Sequence, residues 1–219
     1  MLKAYKITIV LFVITTAVAK GQTIKIQYGD SLYADYFYHC SRVYGFDLKD
    51  RLNSGHYEVY RKTDSLTYKY IDAFYKDSKK DSVWTYYFQT GKISSKSSYV
   101  AGKEDGKHIS YFENGNINYE GYYVNGYMNG LWFWYNQNGQ KQSINTFTND
   151  TKQGIEVTYY ENGQIESIEN FKDGVFEGVC LYFYKNGQPQ REVYYQKDQA
   201  SGLWKYYDEN GKQTNSNQH

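Results

Sequence analysis

The chain has 219 residues, a formal net charge of +1, one Pro and two Cys. Its 25 basic residues are balanced by 24 acidic ones, so it carries no electrostatic footprint for nucleic acid or for an anionic membrane surface. Two Cys are too few for a disulfide-stapled scaffold, and 28 Tyr within an aromatic content of 20% favour pleated, half-buried strands over a thick aliphatic core.

Residues 1–21 have the form of a secretory signal peptide. Lys3 and Lys6 precede an apolar run from Ile7 to Ala19, and small residues stand at Ala17, Ala19 and Gly21. The run is about 13 residues, short of the roughly 20 that cross a bilayer, so the mature chain is expected to have no transmembrane segment. Export to the periplasm, the outer envelope or the medium follows from this reading. Removing 1–21 takes away three Lys and no acid, which moves the formal charge from +1 to −2. Residues 22–54, with Tyr36-Phe37-Tyr38 and Val43–Leu48, do not repeat and are expected to cap the first edge of a repeating region that starts at Gly55.

From residue 55 to 211 the chain is periodic. Gly106, Gly130, Gly154, Gly178 and Gly202 stand 24 residues apart, with Ser82 one period earlier. Nine residues after each comes Gly91, Gly115, Gly139, Gly163, Gly187 or Gly211. Aromatics recur at offset 5, as at Tyr111 and Tyr159, and at offset 17, as at Tyr123 and Phe171. Gly55, with Tyr60 and Phe74, heads a degenerate, longer first copy. In five copies Asn precedes the second Gly, and Asn-Gly between two strand-like runs is a strong hairpin signal because both residues tolerate positive φ.

Odd offsets hold the more uniformly apolar residues on both strands, for example Leu131, Phe133 and Tyr135, then Ile165 and Phe171. Placing both sets on one face requires an odd loop, so a three-residue Glu-Asn-Gly turn with a left-handed Gly bulge is expected. The fold class is therefore all-β: an elongated antiparallel meander of about six 24-residue β-hairpins. Polar connections such as Val124–Asn129 link the copies. The tail 212–219 is polar and is expected to fray without a partner strand. In this linear order Cys40 and Cys180 lie about ten strand spacings apart, far beyond the roughly 7 Å that a disulfide bridges.

The pattern Gly-x-Trp-x-x-Tyr-x-x-Asn-Gly, best kept from Gly202–Tyr207 and from Gly130–Tyr135, resembles the MORN repeat and especially its bacterial variant. The resemblance covers residues 55–211. It implies an interaction or scaffolding module, and bacterial members are often labelled antitoxin-like. His108, Glu156 and Cys180 depart from the pattern where Trp is expected.

Nothing in the chain converges as a catalytic, cofactor or metal site. His39, His56, His108 and His219 belong to no His-x-x-x-His, and no Cys-x-x-Cys or Gly-x-Ser-x-Gly occurs. A non-enzymatic protein is expected, with Glu113, Glu161 and Glu209 as solvated hairpin tips. The candidate binding surface is the even-offset face: Trp84 and Tyr86, then Trp132 and Trp134, then Tyr182, Trp204 and Tyr206. These rings serve either as cross-strand packing for a thin sheet or as an exposed face. The leading function is binding of a protein partner. The alternatives are a glycan or cell-envelope surface held on the Trp and Tyr rows, or an antitoxin- or immunity-like pairing implied by the resemblance.

Overall fold

The computed structural model describes residues 23–28, 54–62 and 66–218. The signal-peptide reading, most of the cap and Cys40 lie outside the described residues.

These residues form strands and turns only. The strands are β1 (Thr23–Tyr28), β2 (Gly55–Lys62), β3 (Thr67–Lys76), β4 (Lys79–Lys80), β5 (Ser82–Tyr87) and β6 (Ile93–Val100). They continue with β7 (Lys103–Tyr111), β8 (Ile117–Val124), β9 (Tyr127–Tyr135), β10 (Lys141–Thr148), β11 (Thr151–Lys152) and β12 (Gly154–Tyr159). The last are β13 (Ile165–Lys172), β14 (Val175–Phe176), β15 (Gly178–Phe183), β16 (Pro189–Gln196), β17 (Gln199–Tyr207) and β18 (Gln213–Gln218).

The chain divides into two compact units, one ending at Lys103 and the other beginning at Glu104. In the N-terminal unit β2, β3, β5 and β6 pair antiparallel in chain order, and β1 runs parallel along β2 with Thr23 opposite His56. In the C-terminal unit β7 to β18 form an open antiparallel meander, each hairpin pairing with the next. The polar tail corrects the sequence reading. Residues 213–218 are β18, paired along β17 as the second strand of the last hairpin. A polar sequence gives no side-chain signal of a ladder made by backbone groups.

Each repeat has two kinds of turn. At one end the Phe112 N–H donates to the Asn116 carbonyl at 2.8 Å and the Gly115 N–H to the Phe112 carbonyl at 2.9 Å, and the other repeats copy this pair. Gly115 has φ +97°, while Asn114 is not in the left-handed region. This is the expected three-residue turn with a Gly bulge. The Asn is there for another reason than φ. Its Oδ1 accepts from the Asn116 N–H at 2.9 Å, and its Nδ2 donates to the Gln137 carbonyl of the next repeat at 2.7 Å. Asn162 and Asn186 repeat both bonds. At the opposite end the connections read as open polar links are tight two-residue turns. Asn125 and Gly126, at φ 54° and 92°, both sit in the left-handed region, as a type I′ turn requires.

A bulge recurs beside every three-residue turn. Tyr111 faces Ile117 but Ser110 faces Tyr119, so Asn118 is an extra residue on the second strand. Gln142, Glu166 and Gln190 occupy the same place in later repeats. One extra residue inverts the faces of everything beyond it. Even offsets of the first strand therefore share a side with odd offsets of the second: Trp132 faces Asn145, and Glu156 faces Glu169. The expectation that odd offsets of both strands make one face is corrected by this bulge.

The even side is the packed one. Trp84 is buried with Tyr57 and Ala73 in the N-terminal unit. In the C-terminal unit Trp132, Cys180 and Val193 are buried, with small Ser167 and Asn145 among them. Where the first strand carries a large ring the second carries a smaller residue, as Trp84 faces Ser97, His108 faces Gly121 and Trp132 faces Asn145, while the small Cys180 faces the larger Val193.

Candidate functional site

The sequence-derived surface is a row of rings on that packed side. Trp84 and Trp132 are buried, and Tyr86, Trp134, Tyr182, Trp204 and Tyr206 are half-buried. The Trp132 ring centroid lies 5.0 Å from that of Tyr123 and 6.0 Å from that of Trp134, and the Trp84 indole N–H donates to the Phe74 carbonyl at 2.8 Å. Aromatic pairs at such spacing contribute about 0.5–1.5 kcal/mol each beyond their buried area. Within a repeat these rings pack on one another, Trp84 on Tyr86, Trp132 on Trp134 and Trp204 on Tyr206, and the buried indoles of Trp84 and Trp132 are not open to a partner.

The exposed apolar residues are on the odd side. Leu131, Ile155, Val179 and Leu203 hold offset 1 in four consecutive repeats and are 51%, 51%, 40% and 50% exposed. Beside them a second row crosses the sheet by direct strand pairing: Phe133 faces Ile144, which faces Val157, then Ile168, then Leu181. Glu120 stands at one end of this row and Glu192 at the other. Each is held by a lysine, Lys107 Nζ at 3.0 Å from Glu120 and Lys205 Nζ at 2.8 Å from Glu192. The result is an aliphatic strip about six strand spacings wide between its two ion pairs. An antiparallel sheet facing water on one side ordinarily turns polar residues to it. The sequence shows this column as apolar without showing which way it faces, and the structure turns it outward.

Position 16 on the second strand completes the strip. Tyr122 and Tyr194 are exposed there, and the shorter Thr146 donates its hydroxyl to the Ile155 carbonyl at 3.4 Å.

Six segments, residues 80–101, 104–125, 128–149, 152–173, 176–197 and 200–212, match the model of the MORN repeat variant and together cover more than half of the chain. This chain belongs to the MORN repeat variant family. A search of curated proteins found no match. Each MORN segment starts two residues before the leading position, and the five full ones end on the first residue of the tight turn. The β2–β3 hairpin lies outside the matched segments but packs the same way, with Tyr57 opposite Ala73 as Trp84 is opposite Ser97. Within the matched repeats, glycine and asparagine columns make turns, and the variation falls on the two faces. No described helix is long and apolar enough to cross a membrane.

Proposed function

We propose that this MORN repeat protein is an exported, non-enzymatic interaction module that takes a protein partner on the odd side of its C-terminal unit. The observation that carries the reading is the column Leu131, Ile155, Val179 and Leu203, half-exposed at one position of four successive repeats. Contiguous apolar surface of this kind costs solubility when left in water and ordinarily marks a contact with another protein. An ion pair at each end gives the strip a polar rim, the layout of protein interfaces. Export rests on the charged start, apolar run and small residues of 1–21. An antitoxin- or immunity-like pairing is one form that such binding takes.

The test is a double substitution, Ile155→Lys with Val179→Lys. Surface changes away from special features stay within about 0.5 kcal/mol, so the melting temperature is expected to hold. Crosslinked capture of a partner from the envelope fraction is expected to fall sharply. Capture that is undiminished in a variant of unchanged stability would remove the strip from the binding surface.

A further inference from the structure

The packed side is interrupted at one place. Across the C-terminal unit one row of side chains runs by direct strand pairing through Tyr119, Trp134, Ser143, Thr158, Ser167 and Tyr182. It then reaches Arg191 and Tyr206. Rings stand on both sides, but three consecutive strands carry only small hydroxyl side chains. From Trp134 to Tyr182 is four strand spacings, roughly 19 Å. The missing rings leave a hollow of about 380 Å³ over Thr158 and Ser167. That volume lies within the roughly 300–1,000 Å³ of small-molecule sites.

The lining combines three chemistries. Glu166, on the bulge, and Glu169 bring carboxylates, and Thr158 and Ser167 bring hydroxyls bonded to each other at 2.8 Å. Arg191 and Gln190 bring donors. The Arg191 guanidinium lies 3.9 Å from the Tyr182 ring centroid, and its buried Nε has no hydrogen-bond partner among the described residues. Tyr182 is itself hydrogen-bonded to Glu169, and Tyr160 is pinned through its hydroxyl to the Phe183 carbonyl at 2.7 Å. The rings and the guanidinium are thus fixed before any ligand arrives, which lowers the cost of binding.

We infer that this hollow is a saccharide-binding subsite, taking a neutral pyranose ring against Tyr160 and Tyr182 with its hydroxyls shared between Glu166, Glu169 and Arg191. A neutral polyhydroxyl ligand satisfies acceptors and donors together. A simple anion meets two carboxylates, and a simple cation meets Arg191. The site is on the opposite side from the aliphatic strip and does not depend on the protein-binding reading.

The experiment is ligand-observed NMR and calorimetry on the mature protein with a panel of hexoses, N-acetylhexosamines and their disaccharides, and free amino acids as a second panel. Thr158→Tyr fills the hollow with the side chain that Tyr182 and Tyr206 supply at the same position of later repeats, so the variant is expected to fold. Millimolar or tighter binding of a saccharide, weakened at least about tenfold by Thr158→Tyr and also by Arg191→Met, is the expected result. Absence of saccharide binding in the wild type, binding of amino acids alone, or saccharide binding unchanged in both folded variants would overturn the assignment.

Discussion

The indole of Trp132 lies flat against the backbone of Gly121: a Cβ at Gly121 would stand 2.3 Å from the indole Cδ2. Gly121 does not sit at positive φ, so its lack of a side chain answers a steric need and not a turn. Overpacking a filled site costs about 1–3 kcal/mol. Gly121→Ala is expected to lose that much in urea unfolding, and in a Trp132→Leu background the same change is expected to cost little. Additive losses in this double-mutant cycle would mean that the two residues do not share the space.

The tip asparagines offer a second check. Asn162 accepts from the Gln164 N–H at 3.1 Å and donates to the Lys185 carbonyl of the next repeat at 2.8 Å. A typical hydrogen bond contributes about 1 kcal/mol net. Asn162→Ala is expected to lose both bonds, and Asn162→Asp only the one between repeats. Denaturant midpoints should therefore fall in the order wild type, Asp, Ala. If Gly at this position matched the wild type, backbone freedom and not the two bonds would explain the column.

Burial, with the charge of Glu104 second, pushes the Tyr123 hydroxyl from 10.0 up to about 12. Between those values the unfolded chain has released the proton and the folded chain still holds it. Stability is thus complete below about pH 10 and falls as pH rises through about 12. Tyr123→Phe is expected to flatten part of that alkaline slope, read from urea midpoints alongside the tyrosinate absorbance. An unchanged slope would mean that Tyr123 titrates as it does in water.

Much of the fold was legible because its signals are local. Glycine columns mark positive φ, and the parity of Leu131–Phe133–Tyr135 called for an odd loop, which Glu113-Asn114-Gly115 makes. The orientation of the faces was not legible in the same way. It turns on Asn118, Gln142, Glu166 and Gln190, the extra residues of a backbone bulge, and a bulge carries no required side chain. A fainter signal was present in the small residues opposite the largest ones, Ser97 facing Trp84 and Asn145 facing Trp132. The tight turns Asn125-Gly126 and Asp173-Gly174 carry the same dipeptide signal as the hairpin tips, and only the backbone distinguishes them, with both residues at positive φ. The aliphatic column was legible as apolar, and the side it faces was left open until the bulge fixed it.

Which side faces water is the claim on which the site and the function rest, and thiol labelling measures it directly. In a Cys40→Ser background, Ile155→Cys and Val179→Cys are expected to react with a maleimide reagent as fast as an unfolded control. Asn145→Cys and the native Cys180 are expected to stay protected until the protein unfolds, since both positions are buried. Protection at residues 155 and 179 with ready labelling at 145 and 180 would contradict the account.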